Sequence, residues 1–96
     1  MGKEVEFHNR ERFIQLGIAI ATLRRIRGLS QEKLAEKAHI SRSLLSFIEA
    51  PNLAYSFSLN VLFNLADALE VSPELLIEAS IFPDKVLKSK ENKENG

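Results

Sequence analysis

Residues 29–49, LSQEKLAEKAHISRSLLSFIE, constrain the fold of this chain more than any other segment. Ser30 and Ser41 are favourable N-cap residues, and each precedes a run of apolar residues at helical spacing. The apolar positions are Leu34, Ala35 and Ala38 in the first run and Leu44, Leu45 and Ile48 in the second. The pattern is interrupted at residues 38–40, so the segment predicts two short helices joined by a tight turn.

The second helix of this segment has an outward face that its apolar positions leave free. That face consists of Arg42, Ser43, Ser46 and Phe47. Two helices joined by a short turn, with mostly short polar side chains outward on the second, are typical of a helix-turn-helix that reads the major groove of DNA. The segment therefore predicts DNA binding.

Residues 29–49 resemble the helix-turn-helix of the phage repressor and Cro family, also called Xre-like regulators. The positions that match the family pattern are Leu29, Ser30, Gln31, Glu32, Leu34, Ala35, Ile40, Ser41, Leu45, Ile48 and Glu49. Residues 58–69, 71–72 and 75–76 resemble the family's fourth and fifth helices, so the resemblance extends from about Ile20 to Leu76. It implies an all-α, five-helix, repressor-like domain: a sequence-specific transcriptional regulator, acting as a dimeric repressor that reads DNA with the helix 41–49.

The length of 96 residues favours a single domain. We divide the chain into a flexible N-terminal arm (1–8), a helix-turn-helix domain (9–82) with the helix-turn-helix itself at 30–49, and a disordered charged tail (83–96). These boundaries follow the apolar periodicity, which is weak before residue 9 and ends near residue 82.

Glycine and its substitutes mark the expected turns. The first helix is expected to run from residue 9 or 10 to Arg27 and to be followed by Gly28, the residue type that commonly ends a helix. His39 and Glu70 occupy positions where family members often have glycine, so we expect a strained, left-handed backbone at both.

The net charge of zero hides an uneven distribution. Residues 1–48 contain 9 basic and 5 acidic residues, a net charge of +4, whereas residues 49–96 contain 4 and 8, a net charge of −4. The helix-turn-helix lies in the positive half, which favours one electropositive face for DNA. Arg25 and Arg27 are interpreted as an exposed, solvated helix end.

Phosphate contacts hold a DNA-binding module in register, and helix N-termini are suited to make them. We predict Gln31, at the start of the first helix of the motif, as the main phosphate contact. Ser41 and Arg24 are secondary candidates, and Ser30 is mainly a cap. The family resemblance also implies an ion pair between Arg24 and Glu49 that locks the first helix of the domain to the recognition helix.

Base reading is assigned to the outward face of the recognition helix. We predict that Arg42 binds guanine through O6 and N7 and that Ser43 is a weak reader that accepts several bases. Phe47, one turn further on, is predicted to contact a thymine methyl group, and Leu44 is predicted to do so if it is not buried.

The loop after the recognition helix departs from the family, which often has a short basic loop there. It reads APNLAYSF, and no Lys or Arg occurs between residues 50 and 84. Two interpretations remain open. Asn52, Tyr55 and Ser56 donate hydrogen bonds to phosphates, or Leu53, Tyr55 and Phe57 close the bottom of the core, which we favour.

Two apolar surfaces have no obvious core partners. We assign Ile77, Ile81 and Phe82 to a dimer surface, because the family often dimerises through this region. Ile14 and Ile18 form a second stripe on the first helix, which either binds a partner or packs against the N-terminal arm.

Several classes of site and location are not expected. The chain has no Cys, and its two histidines, His8 and His39, are far apart, so neither a disulfide nor a metal site is predicted. No glycine-rich phosphate loop or nucleophile–base pair is present, so we predict no catalytic residue, cofactor or small-molecule substrate. A signal peptide pattern and a membrane-length apolar run are also absent from the sequence, and we expect a cytoplasmic protein.

A second functional hypothesis stays open beside the operator-binding one. The chain could be an antitoxin-like or phage-encoded protein-interaction module in which the helix-turn-helix binds a protein partner and DNA binding is secondary. The apolar loop, Phe47 and the Ile14/Ile18 stripe favour it.

Overall fold

The computed structural model describes residues 5–81, which form helices and connecting turns with no strand. The five α-helices that the family resemblance implies are present, and a short 3₁₀ turn that was not predicted precedes them. The elements are the 3₁₀ turn Phe7–Asn9, α1 (Arg10–Ile26), α2 (Gln31–Ala38), α3 (Arg42–Glu49), α4 (Leu59–Leu69) and α5 (Pro73–Ile81). Residues 1–4, Phe82 and the predicted tail 83–96 lie outside the described residues.

Four serine caps set the starts of α2 to α5. The hydroxyl oxygens of Ser30, Ser41, Ser58 and Ser72 each accept the backbone N–H three residues later, at 3.0–3.2 Å. Each bond satisfies one of the amides that a helix N-terminus leaves without a partner. At the other end of α3, Ala50 is extended ahead of Pro51 and stops the helix at Glu49.

The three predicted glycine-like turns have positive φ angles. Gly28 has φ of 74°, His39 of 59° and Glu70 of 61°. The left-handed conformation costs a non-glycine residue about 1–2 kcal/mol, so α2 and α4 both end on mildly strained residues. At His39 this strain is the local cost of a tight turn between the two helices of the motif.

Helix α1 is the centre of the packing. It packs mainly against α5 and α3, while α2 packs against α4 and α3. The largest fully buried side chains are Ile20, Leu34, Leu45, Ile48, Leu65, Leu69 and Leu76. In α5 the interior position is taken by Leu76, whereas Leu75 is only half-buried.

The loop between α3 and α4 contributes two aromatic side chains to the core. Tyr55 and Phe57 pack against the buried cluster, and the Phe57 ring meets the Phe13 ring edge to face, with centroids 5.9 Å apart. The prediction that Leu53 closes the core is wrong, because 39% of its surface is exposed. The adjacent Ala54 occupies the interior position instead.

Gly17 allows the backbones of α1 and α3 to touch. A Cβ atom on Gly17 would collide with the backbone carbonyl oxygen of Ile48 and would lie 3.1 Å from its carbonyl carbon. Both partners are on helices whose neighbouring side chains are buried, so neither backbone can withdraw freely. The absence of a side chain at this position therefore fixes how closely α3 approaches α1.

We predict that Gly17→Ala destabilises the protein. Alanine gains roughly 1 kcal/mol of helix propensity over glycine. The collision with Ile48 costs more, since forced overpacking typically costs about 1–3 kcal/mol and occasionally more. Urea denaturation should show a net loss of stability.

Gly28→Ala is the matched control, because nothing lies within 4 Å of its Cβ position and only the positive φ is strained. A Gly17→Ala variant as stable as wild type would contradict the close approach.

Candidate nucleic-acid interface

Helix α3 has one buried and one exposed face. Leu45 and Ile48 are buried, and Leu44 is half-buried against the core. The residues on the opposite face are all exposed: Arg42, Ser43, Ser46 and Phe47. Leu44 therefore lies with the core, whereas the other three residues predicted to read bases share an accessible surface.

Helix α3 ends in a buried carboxylate held by two other helices. Arg24 Nε donates to Glu49 Oε2 at 2.8 Å, and Arg24 Nη2 donates to Oε1 at 3.1 Å. Gln31 Nε2 donates to the same Oε1 at 2.9 Å. The Arg24 and Glu49 side chains are only 11% and 4% exposed. This network joins α1, α2 and α3 at one point.

Arg24 also holds the turn that precedes α2. Its Nη1 donates to the carbonyl oxygen of Leu29 at 2.8 Å. The guanidinium thus makes a two-pronged pair with Glu49 and a third bond to the backbone. Two of its five N–H groups have no partner among these bonds. Because the side chain is largely buried, Arg24 has little surface left to contact a phosphate.

The other predicted phosphate contacts lie at the N-termini of α2 and α3. Ser30 and Ser41 are exposed and use their hydroxyl oxygens as cap acceptors, so each hydroxyl hydrogen is free to donate. Gln31 is half-buried, and its amide nitrogen has a second hydrogen beyond the bond to Glu49. All three residues are therefore chemically able to donate to a phosphate.

Arg27 is not the solvated side chain that the sequence suggested. Its Nε donates to the carbonyl oxygen of Leu69 at 2.8 Å, and its Nη2 lies 3.4 Å from that of Glu70. The cation thereby satisfies carbonyls at the negative end of α4. No local sequence pattern predicts this contact, because the partners are more than forty residues apart. Arg25 is exposed, as expected.

Tyr55 supports Phe47, a contact that no sequence pattern predicts. The two rings are stacked with centroids 5.4 Å apart and an angle of 24° between their planes. Phe47 remains 49% exposed, whereas Tyr55 packs against the core. The loop after α3 therefore contributes an aromatic support beside the exposed face of α3.

The basic and acidic residues are unevenly distributed between residues 20–49 and residues 50–81. Residues 20–49 contain six Lys and Arg residues and three Glu, whereas residues 50–81 contain four acidic residues and no Lys or Arg. One of those three glutamates, Glu49, is neutralised by Arg24. A net positive charge is thus concentrated in the end of α1 together with α2 and α3.

An apolar groove lies between α1 and α5. It has a volume of about 410 Å³. Its lining residues are Arg12, Phe13, Leu16, Ile77, Ser80 and Ile81. Ile77 and Ile81, two of the three residues predicted for the dimer surface, are 43% and 58% exposed. The third, Phe82, lies outside the described residues.

The described residues hold no group of three or more acidic or His side chains placed to bind a metal ion. Among the helices within residues 5–81, none has the length and apolar character needed to cross a membrane.

A family model described as helix-turn-helix matches residues 20–76 of the chain. The same span contains the buried Glu49 network and the exposed face of α3. A search of curated protein sequences gives no significant match.

Solved structures show the same fold. The restriction-modification controller protein C.AhdI from Aeromonas hydrophila is 33% identical, with a TM-score of 0.61 over 67% of this chain and 94% of that one. The clp gene regulator ClgR from C. glutamicum is 25% identical, with a TM-score of 0.65 over 74% and 87% of the two chains. A second ClgR crystal structure, from Corynebacterium glutamicum, has a TM-score of 0.67 at 22% identity, covers 88% of this chain and 87% of its own, and supports the fold.

We predict that Arg24→Met costs about 3–5 kcal/mol of stability, because it leaves the Glu49 carboxylate buried without its cation. The double variant Arg24→Met/Glu49→Leu should recover much of this loss, since no charge is then left unpaired. Chemical denaturation measures both.

Lys33→Ala is the control. It removes an ion pair with Glu36 whose side chains are 57% and 73% exposed, and it should cost under about 1 kcal/mol. Equal losses for Arg24→Met and Lys33→Ala would contradict a structural role for the buried pair.

Proposed function

The chain is a DNA-binding transcriptional regulator of the repressor- and Cro-like helix-turn-helix family, and from this premise we propose that it reads a specific operator as a dimer, with α3 in the major groove. The proposal is carried by one observation. The outward face of α3 is exposed along its length, while its inner face, its end and its backbone are fixed by the core, the Glu49 network and Gly17.

A fixed recognition helix is what specific reading requires. Base-edge hydrogen bonds depend on distances good to a few tenths of an ångström, so the helix must enter the groove in one orientation. The network of Arg24, Glu49 and Gln31 holds α3 against α1 and α2. A phosphate contact that positions α2 on DNA therefore also positions α3. We infer that this coupling sets the register of reading.

Gln31, Ser41 and Ser30 are the proposed phosphate contacts. They lie at the N-termini of α2 and α3, where backbone N–H groups and the helix dipole favour an anion. The cap bonds orient the serine hydroxyl oxygens toward the helix amides and leave the hydroxyl hydrogens to donate outward. Arg24 is proposed to support this surface mainly from inside.

Arg42 is the proposed principal base reader. It is the first residue of α3 and is exposed, and none of the ion pairs described within residues 5–81 involves it. A free guanidinium at this position can bind guanine O6 and N7 in the two-pronged manner, worth about 1–3 kcal/mol of discrimination. Ser43 and Phe47 are proposed to contact neighbouring bases.

A second copy of the chain is the proposed occupant of the α1/α5 groove. Ile77 and Ile81 would pack across a two-fold axis, burying apolar surface that the single chain leaves exposed. Two-fold symmetry would place the recognition helices about 34 Å apart, one helical turn of DNA. An operator with two inverted half-sites follows from that spacing.

Protein-partner binding remains the second candidate, favoured by the exposed side chains of Phe47 and Ile18. The loop supports it less than the sequence suggested, because Tyr55 and Phe57 are used by the core. The proposed activity is regulatory and not enzymatic, with the cytoplasm as its proposed location. A partner complex that persists after Gln31 and Arg42 are both changed to Ala would favour the second candidate.

We expect selection from a random duplex pool to enrich an inverted repeat. Arg42→Ala should lose preference at one base pair per half-site, equivalent to about 1–3 kcal/mol at that position. Arg25→Ala is the control, since it removes an exposed arginine of equal charge on α1. If wild type enriches no sequence, specific operator binding is wrong.

We expect Ile77→Glu to convert the dimer to a monomer in sedimentation analysis, because a charge would be buried at the interface. Leu59→Glu is the matched control, an exposed leucine of α4 that is 66% exposed and does not line the groove. A dimer that survives Ile77→Glu but not Leu59→Glu would move the interface to α4.

A further inference from the structure

We propose that Phe47 and Tyr55 together recognise the 5-methyl group of a pyrimidine in the major groove, with Tyr55 as the positioning residue. The proposal rests on operator binding by α3 and adds to it a residue outside the helix-turn-helix and a chemical rule. That rule is that the pair responds to the methyl group itself, whether thymine or 5-methylcytosine carries it.

Tyr55 gives the Phe47 ring a fixed orientation. The rings are nearly parallel, with centroids 5.4 Å apart, a separation that is favourable for offset stacking. Tyr55 packs against the core and is therefore held in place, whereas Phe47 is not part of the core cluster. A side chain on an exposed helix face would otherwise exchange rotamers, so the stack restricts how Phe47 meets DNA.

The free part of the Phe47 ring is on the reading face. The side chain remains 49% exposed, and α3 also presents Arg42, Ser43 and Ser46 to solvent. The stack with Tyr55 leaves about half of the side chain open to solvent. A large apolar surface left at this position is therefore available to a ligand on the same side as the proposed base contacts.

The chemistry of the ring selects its target. Phenylalanine has no hydrogen-bond donor or acceptor, so it cannot recognise the polar groups of base edges. The apolar feature of the major-groove edge is the methyl group on C5 of thymine. Methylation of cytosine at C5 places the same group at the same ring position. A reader of this kind therefore distinguishes methylated from unmethylated pyrimidines.

The test replaces each thymine of the selected operator in turn with deoxyuridine, which removes only the methyl group. We expect one thymine per half-site at which wild-type binding weakens roughly fourfold, the effect of one buried methyl group, and no change at the others. Phe47→Ala should lose this sensitivity, and Arg42→Ala should keep it. When that thymine is replaced by cytosine, 5-methylcytosine should bind more tightly than cytosine.

The role of Tyr55 is tested by the same substitution in three variants. Tyr55→Phe keeps the stacked ring and should keep the methyl sensitivity. Tyr55→Ala and Tyr55→Leu remove the flat support and should reduce the sensitivity, and Tyr55→Leu retains apolar volume if the alanine variant is unstable. Thermal unfolding of each variant separates loss of support from loss of fold.

Three results would overturn the inference. Equal binding to thymine and deoxyuridine at every position, with Arg42→Ala still changing base preference, would leave operator reading intact and refute the methyl contact. Methyl sensitivity that persists in Phe47→Ala would assign it to another residue. Full sensitivity in a folded Tyr55→Leu variant would refute the positioning role. If no operator is enriched, the proposed function fails first.

Discussion

The rest of the structure depends on one buried carboxylate at the end of the recognition helix. Glu49 would be strongly destabilising in the interior without partners, and it is tolerated because Arg24 and Gln31 supply three hydrogen bonds from two other helices. The backbone carbonyl of Ile48, the residue before Glu49, lies directly against Gly17 of α1. Directional hydrogen bonds to Glu49 and a close backbone contact at Gly17 therefore both fix the position of the end of α3.

This arrangement separates the two faces of α3. Buried contacts and hydrogen bonds restrain the inner face and the helix end, so the outward face needs no residue for stability. Arg42, Ser43 and Ser46 are therefore exposed, and the half-exposed ring of Phe47 is stacked on Tyr55. The loop after α3 lacks basic residues, and it places the Tyr55 ring, instead of a charge, beside the outward face of α3.

Local signals predicted most of the fold, and distant contacts escaped them. The caps at Ser30 and Ser41 and the helix spans follow from patterns a few residues long. The positive φ at His39 and Glu70 was expected from the family resemblance. The pairing of Arg24 with Glu49 came from family resemblance, since nothing in the spacing requires it. The Arg27 cap on α4 and the Phe47–Tyr55 stack were missed because side chains brought together by tertiary packing leave no periodic trace. Leu53 was misplaced because one apolar residue among several in a loop does not reveal which one turns inward.

The central claim is that α3 enters the major groove as one half of a two-fold dimer, and methylation interference on the selected operator tests it most directly. Dimethyl sulfate modifies guanine at N7, in the major groove, and adenine at N3, in the minor groove. The account predicts interference at guanine N7 in two half-sites about 34 Å apart, and none at the guanine assigned to Arg42 when the Arg42→Ala variant is used. Interference at adenine N3 alone, or at neither position, would contradict it.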